Sequence, residues 1–386
     1  MAEFITKISN GQISVDDTIL VKDYPCTAGS KMLENFKPLF SAEAVTRLEK
    51  AGYEIAGKAN VGEFGLDLLG ETSYFGETTE NGKLVGAGAK LVKDGVVKAN
   101  LSVDLNGYPR RSAKEAGVKF IKPTYGTVSR YGVIACACSG EQIGVTANST
   151  KDLIDILTVI SGHDQKDGTS LKEEKYQYKA EKKSYKVAVI KDLSEGDGNV
   201  DKVVKKLTEK GVSVTEIFLG ITEQIQTAWQ ILSSAETCNN LSRYDGVKYG
   251  YRTDKYDNID DLYVNTRTEA FGFLTKANII YGSDVLSKGK YEKCYDKSLK
   301  IRRLAVEKMA EIFSTYDAVL LSVSSNKQYD VTVKNDFNAV YSESKYTALA
   351  SITGLPAIVT DGAQIIGDYF NENLLFGLCE ILEERE

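Results

Sequence analysis

The chain has 386 residues, 42% hydrophobic and 26% charged, with a formal net charge of -6, ordinary values for a globular protein. The acidic balance argues against direct binding of nucleic acid, which calls for a basic excess. A single histidine, His163, excludes a metal site built on two histidines and leaves a Ser-His-Asp triad only one candidate base.

In chain order, "SAEAVTRLEKAG" (41–52) predicts a helix opened by a Ser41 cap and closed by Gly52. "YEIAGKANVGEF" (53–64) has strand character, and "TKDLIDILTVI" (150–160) is helical, which leaves His163 in a polar loop beyond the helix end. The charged stretch 166–185 reads as a surface crossing between two halves of one domain. After it, "KVAVI" (186–190) is a buried strand, "VDKVVKKLTEKG" (200–211) an amphipathic helix, "VSVTEIFL" (212–219) a strand, and 222–238 a helix. A helix over 297–315, the strand "DAVLLSV" and a closing helix from Glu372 complete an α/β alternation with a mixed or parallel sheet.

The six cysteines form no CxxC pair and read as free thiols in a reducing cytoplasm, with Cys136 and Cys138 on one face of a strand. No apolar run has the length of a membrane span, and the first residues lack a signal pattern, so the expected location is cytoplasmic. No nucleotide-binding glycine loop or metal-ligand cluster appears, and no cofactor is expected.

The segment "IKPTYGTVSRYG" (121–132) is too particular for a generic loop. With "VKDYPCTAGSKMLENF" (21–36), "AVTRLEKAGYEIAGKANVGEF" (44–64), "SGHDQKDGTS" (161–170), "NNLSRYDGVKYGYR" (239–252) and "ITGLPAIVTDGAQIIG" (352–367), it resembles the amidase signature family. Within that family the RYDG segment is most similar to the branch that serves as the A-type component of glutamyl-tRNA(Gln) amidotransferase. The resemblance spans nearly the whole chain and implies one domain over 1–386: a large mixed sheet covered by helices. The helical region that usually precedes the VKD segment has no counterpart.

The family's chemistry implies a Ser–cis-Ser–Lys triad with an oxyanion loop of backbone N–H groups. On this resemblance Lys22 is the retained triad lysine, while the two serines fall on Leu84 and Tyr108. Those two positions keep the family spacing. Neither leucine nor a phenol of pKa about 10 is a serviceable nucleophile at neutral pH. Asp104, Gly107 and Arg110 of the nucleophile loop are kept, and Leu105 and Asn106 replace its Thr-Gly. Asn106 is expected to preserve the turn through its tolerance of unusual backbone angles. At the substrate end, Ser344 beside Glu343 stands where an aspartate would receive an amino group, and Ala277 and Asn278 stand where two arginines would anchor a carboxylate. Tyr244 is retained.

The expected function is therefore a catalytically degenerate amidase-like binding or scaffold subunit. Its expected partners are B- and C-type amidotransferase subunits or an active amidase paralogue. The alternatives are an enzyme of altered chemistry that pairs Lys22 with Tyr108, or uses Ser102 or Ser112, and an unchanged amidase.

Overall fold

The computed structural model describes residues 3–384. Eleven strands form one sheet: β1 (Phe4–Lys7), β2 (Ile13–Asp16), β3 (Ile55–Ala59), β6 (Ala99–Asp104), β7 (Lys119–Lys122), β8 (Gln142–Ala147), β9 (Lys186–Ile190), β10 (Ser213–Ile217), β11 (Ala318–Ser322), β12 (Ala357–Thr360) and β13 (Ala363–Gly367). Two further strands, β4 (Thr79–Glu80) and β5 (Lys83–Leu84), make a separate hairpin. Across the sheet the order is β1-β3-β2-β6-β8-β7-β12-β13-β11-β9-β10. Parallel pairs at β3-β2-β6 and β11-β9-β10 flank an antiparallel centre, so the sheet is mixed, as the resemblance implied.

The strands alternate between two apolar layers because successive side chains point to opposite faces. Ile13, Val15, Leu101, Val187 and Leu320 face one layer. It is completed by α1 (Glu43–Lys50), α4 (Thr150–Ile160), α5 (Gly198–Glu209) and α12 (Glu372–Glu383). Ala188, Val319 and Leu321 face the other layer, where α6 (Thr222–Leu241), α9 (Lys297–Phe313) and α11 (Ala348–Thr353) pack. Near the β1 edge that second face is covered by α2 (Ala87–Lys93) and α3 (Tyr108–Ala116). The helices α7 (Ile259–Ala270), α8 (Phe273–Val285) and α10 (Phe337–Ser344) lie outside the sheet. Among the described residues, no helix is long and apolar enough to cross a membrane.

Two local expectations are corrected. The first turn of α1 is not capped by Ser41: the N-cap is Ala42, and Ser41 Oγ instead accepts the Lys22 backbone N–H at 3.0 Å. Cys136 and Cys138 are not in a strand; Cys136 is buried in an irregular segment where its N–H and that of Ala137 donate to Glu141. A buried carboxylate binding consecutive N–H groups replaces the ladder that a strand would supply. The charged crossing at 166–185 lies along α12. Lys179 and Glu181 donate backbone N–H groups to Asn373, and Tyr185 ends the segment inside the core.

Candidate functional site

The floor of the site is a polar stripe on the sheet. The alternation in "ISVD" sends Ile13 and Val15 to the apolar layer and leaves Ser14 and Asp16 together on the other face. On neighbouring β6, Asn100, Ser102 and Asp104 share that face. Asn100 ties the two strands: Ser14 Oγ donates to its Oδ1 at 2.7 Å, and its Nδ2 donates to Asp16 Oδ1 at 2.9 Å and Ser102 Oγ at 2.8 Å. Lys58 of β3 is fully buried, 3.4 Å from Asp17 Oδ1, and also donates to the Ile19 carbonyl.

The N-termini of α2 and α3 close over this stripe. Gly107 (φ 97°) turns the chain into α3, and a Cβ there would strike Thr347, so only glycine fits. The turn survives through Gly107; Asn106 keeps negative φ. The Asn106 side chain braces the turn, donating to the Leu66 carbonyl at 2.7 Å and accepting from Trp229 Nε1 at 2.9 Å. Arg110 and Asp104, both fully buried, form a bidentate pair at 2.7 and 3.0 Å. The same guanidinium donates to the Thr347 carbonyl, Gln364 Oε1 and Ser351 Oγ. Asp104 and Arg110 thus bind the loop to α11 and β13.

Tyr108, the first residue of α3, points into the space over this stripe. Its ring packs on Gly70, and its hydroxyl and Ser112 crowd the α-carbon of Gly86, where any side chain would clash. Burial pushes the phenol well above its usual pKa, and the carboxyls of Asp67 and Asp16 push it further. Leu84, in the hairpin, faces Leu69, Tyr329, Val333 and Ala339. The cavity left between Leu84, Gly86, Ser112 and Tyr329 measures about 10 Å³, room for one water at most. At the substrate end, a second space between Leu66, Asn106, Trp229, Asn278 and Ser344 also measures about 10 Å³. Ser344 meets Gln226 at 3.2 Å, Glu343 pairs with Arg111 at 2.8 Å, and Asn278 accepts from Ser234 and Gln230. Ala277 is half-buried on α8.

Lys22 is not part of this cluster. It is exposed on the loop after β2 and makes no ion pair among the described residues. An ammonium in water keeps its hydration and cannot serve as a desolvated base. An ionisable group that does lie on the floor is Asp16, six residues earlier. Burial raises its carboxyl to about 7, against the lowering effect of Asn100, Ser102 and Lys58. The sequence reading missed it, although the polar alternation in "ISVD" and "ANLSVD" was a usable signal. Tyr244 also lies elsewhere, in an aromatic cluster with Phe64, Tyr249 and Phe271. Among the described residues, no group of three or more His, Cys, Asp or Glu is placed to hold a metal.

Residues 12–376 match the family model described as amidase. The A-type component of glutamyl-tRNA(Gln) amidotransferase from Coxiella burnetii is 36% identical over 98% of this chain and 84% of its own length. Its counterpart from Streptococcus agalactiae is 34% identical over 96% of this chain and 82% of its own length. The crystal structure of the same component from Thermotoga maritima superposes with a TM-score of 0.83 at 27% identity, covering 100% of this chain and 87% of that one.

Proposed function

Since the chain belongs to the amidase family, we propose that it is a catalytically degenerate member, a non-catalytic binding or scaffold subunit of a cytoplasmic complex. The observation that carries this reading is Tyr108, a buried phenol packed against Gly70 and Gly86 where the family resemblance puts the nucleophile. A phenol whose pKa lies well above 10 stays protonated at neutral pH and does not attack a carbonyl. Leu84 cannot relay a proton. The residual spaces beside these residues admit no amide substrate.

The similarity to A-type components makes B- and C-type amidotransferase subunits, or an active amidase paralogue, the partners to seek. The competing idea, a Lys22–Tyr108 proton-transfer pair, is opposed by the exposure of Lys22 and by the direction of the phenol's pKa shift.

Two measurements test the proposal. Purified protein is incubated with glutamine, asparagine and simple aliphatic amides, and ammonia release is followed; none above the uncatalysed background is expected. Tagged protein is then recovered from its native cells and its companions identified by mass spectrometry. A partner at fixed stoichiometry is expected. Ammonia release by the isolated chain refutes the degenerate reading, and recovery of the chain alone refutes the idea of an obligate complex.

A further inference from the structure

Between Gly62 and Gly76 the chain runs as a loop over the collapsed site, and two of its acids lack counter-ions. Asp67 is fully buried: its Oδ2 accepts from the Thr72 backbone N–H at 3.2 Å and Thr72 Oγ1 at 2.9 Å, while its Oδ1 has no partner. Glu71 is 1% exposed, and its Oε2 has no partner either. Asp67 fills the space that a side chain at position 62 would need, so Gly62 is what allows the carboxyl to sit there.

The neighbouring cations are already committed. Arg111, from α3, pairs with Glu343 at 2.8 Å and with Glu115 at 3.3 Å, and also donates to the Lys327 carbonyl. Lys58, from β3, is held by Asp17 and the Ile19 carbonyl. The other titratable groups on this side are acidic or phenolic: Asp16 from β2, Tyr108 from α3, and Glu63 within the loop. Glu63 is saturated by Ser30, Gly272 and Thr275 and offers no proton acceptor to the pair. Two buried carboxyls without a cation cannot both ionise cheaply.

We propose that Asp67 and Glu71 stay proton-bound while the 62–76 loop is closed, and that their ionisation unlatches the loop from Tyr108, reopening the sealed pocket as pH rises. The inference rests on the sealed-site reading above. The direction of titration agrees: burial raises both acids, Asp67 to about 6 and Glu71 well above its usual range, with the Asp67 charge adding to the rise of Glu71 and Arg111 opposing it. A proton bound to the closed form is released on opening. Over the interval in which the open pair has lost that proton and the closed pair still holds it, the opening constant rises about tenfold per pH unit for each proton released.

The test uses the full chain at about pH 5.5 and about pH 8.5, below and above the raised titration of Asp67. Backbone hydrogen exchange of residues 61–76, corrected for the intrinsic base-catalysed rate, reports the loop. Acrylamide quenching of Trp229, the only tryptophan, reports the wall it shares with Leu66 and Leu68. Protection at low pH, a gain in exchange and quenching at high pH, and loss of that difference in Glu71→Gln are expected. Asp67→Asn provides a second neutral variant should the first fail to fold, and Asp16→Asn is a control that keeps the loop's response. Protection at both pH values overturns the proposal and leaves the sealed-site reading standing; exposure at both overturns the two together. A pH difference that persists in both neutral variants also overturns the proposal.

Discussion

Arg110→Met offers the sharpest test of how the degenerate loop is held. The guanidinium is fully buried and makes five hydrogen bonds: two to Asp104, and one each to the Thr347 carbonyl, Gln364 and Ser351. Methionine replaces most of the stem volume, so cavity formation is a minor term. The loss comes from Asp104, which remains buried without its bidentate partner. Breaking one side of such a pair costs about 3–5 kcal/mol. A chain of this length has a urea m-value at or above the top of the small-protein range, so the midpoint should fall by roughly 1–2 M. Equilibrium unfolding followed by far-UV circular dichroism reads it. Asp104→Asn added to Arg110→Met removes the stranded charge and should restore part of the loss. A single variant that unfolds at the parental midpoint, or a double variant less stable than the single, would refute the assignment of Arg110 and Asp104 as an internal anchor.

Four further outcomes are expected. Tyr108→Ser should lose about 3 kcal/mol or more through the cavity it leaves, and it should release no ammonia from glutamine, because Leu84 still cannot relay a proton; calorimetry and an ammonia assay check the two halves. Lys22→Ala should leave the unfolding midpoint unmoved, since an exposed side chain with no ion pair contributes little. Asp16, raised from 3.8 to about 7, binds its proton more tightly folded than unfolded, so its contribution is present at acid pH and fades as pH rises across that interval; Asp16→Asn should flatten that part of the stability profile. Lys122, fully buried and lowered by burial from 10.5 to about 7, works oppositely: the unfolded chain binds more protons across that interval, so stability rises with pH there, and Lys122→Met should remove the rise.

Much of the fold was legible because it is set by local pattern. The run "KVAVI" forms β9 with the predicted bounds, the amphipathic repeats become α5, α6 and α9, and "DAVLLSV" supplies β11. A helix or strand with one apolar face needs only its own spacing to declare itself. The nucleophile loop was legible for a related reason: Asp104, Gly107 and Arg110 lie within a few residues of one another, so their mutual geometry follows from one turn and one helix.

Other features were decided only when distant segments met. Asp16 of "SVDD" and Lys22 of "VKDY" are six residues apart and look equally suited to deliver a buried charge. Asp16 is the one that does, because β2 lies inside the sheet, between β3 and β6, where Asn100 and Ser102 receive it, while Lys22 falls beyond the strand in water. The Ser41 hydroxyl was claimed by Lys22's backbone from another loop, not by its own helix. Sequence therefore determined which elements form and which residues make up the turn into α3. Tertiary structure alone decided which ionisable groups are dry, because burial depends on what covers a residue, and here the covers come from segments far away in the chain.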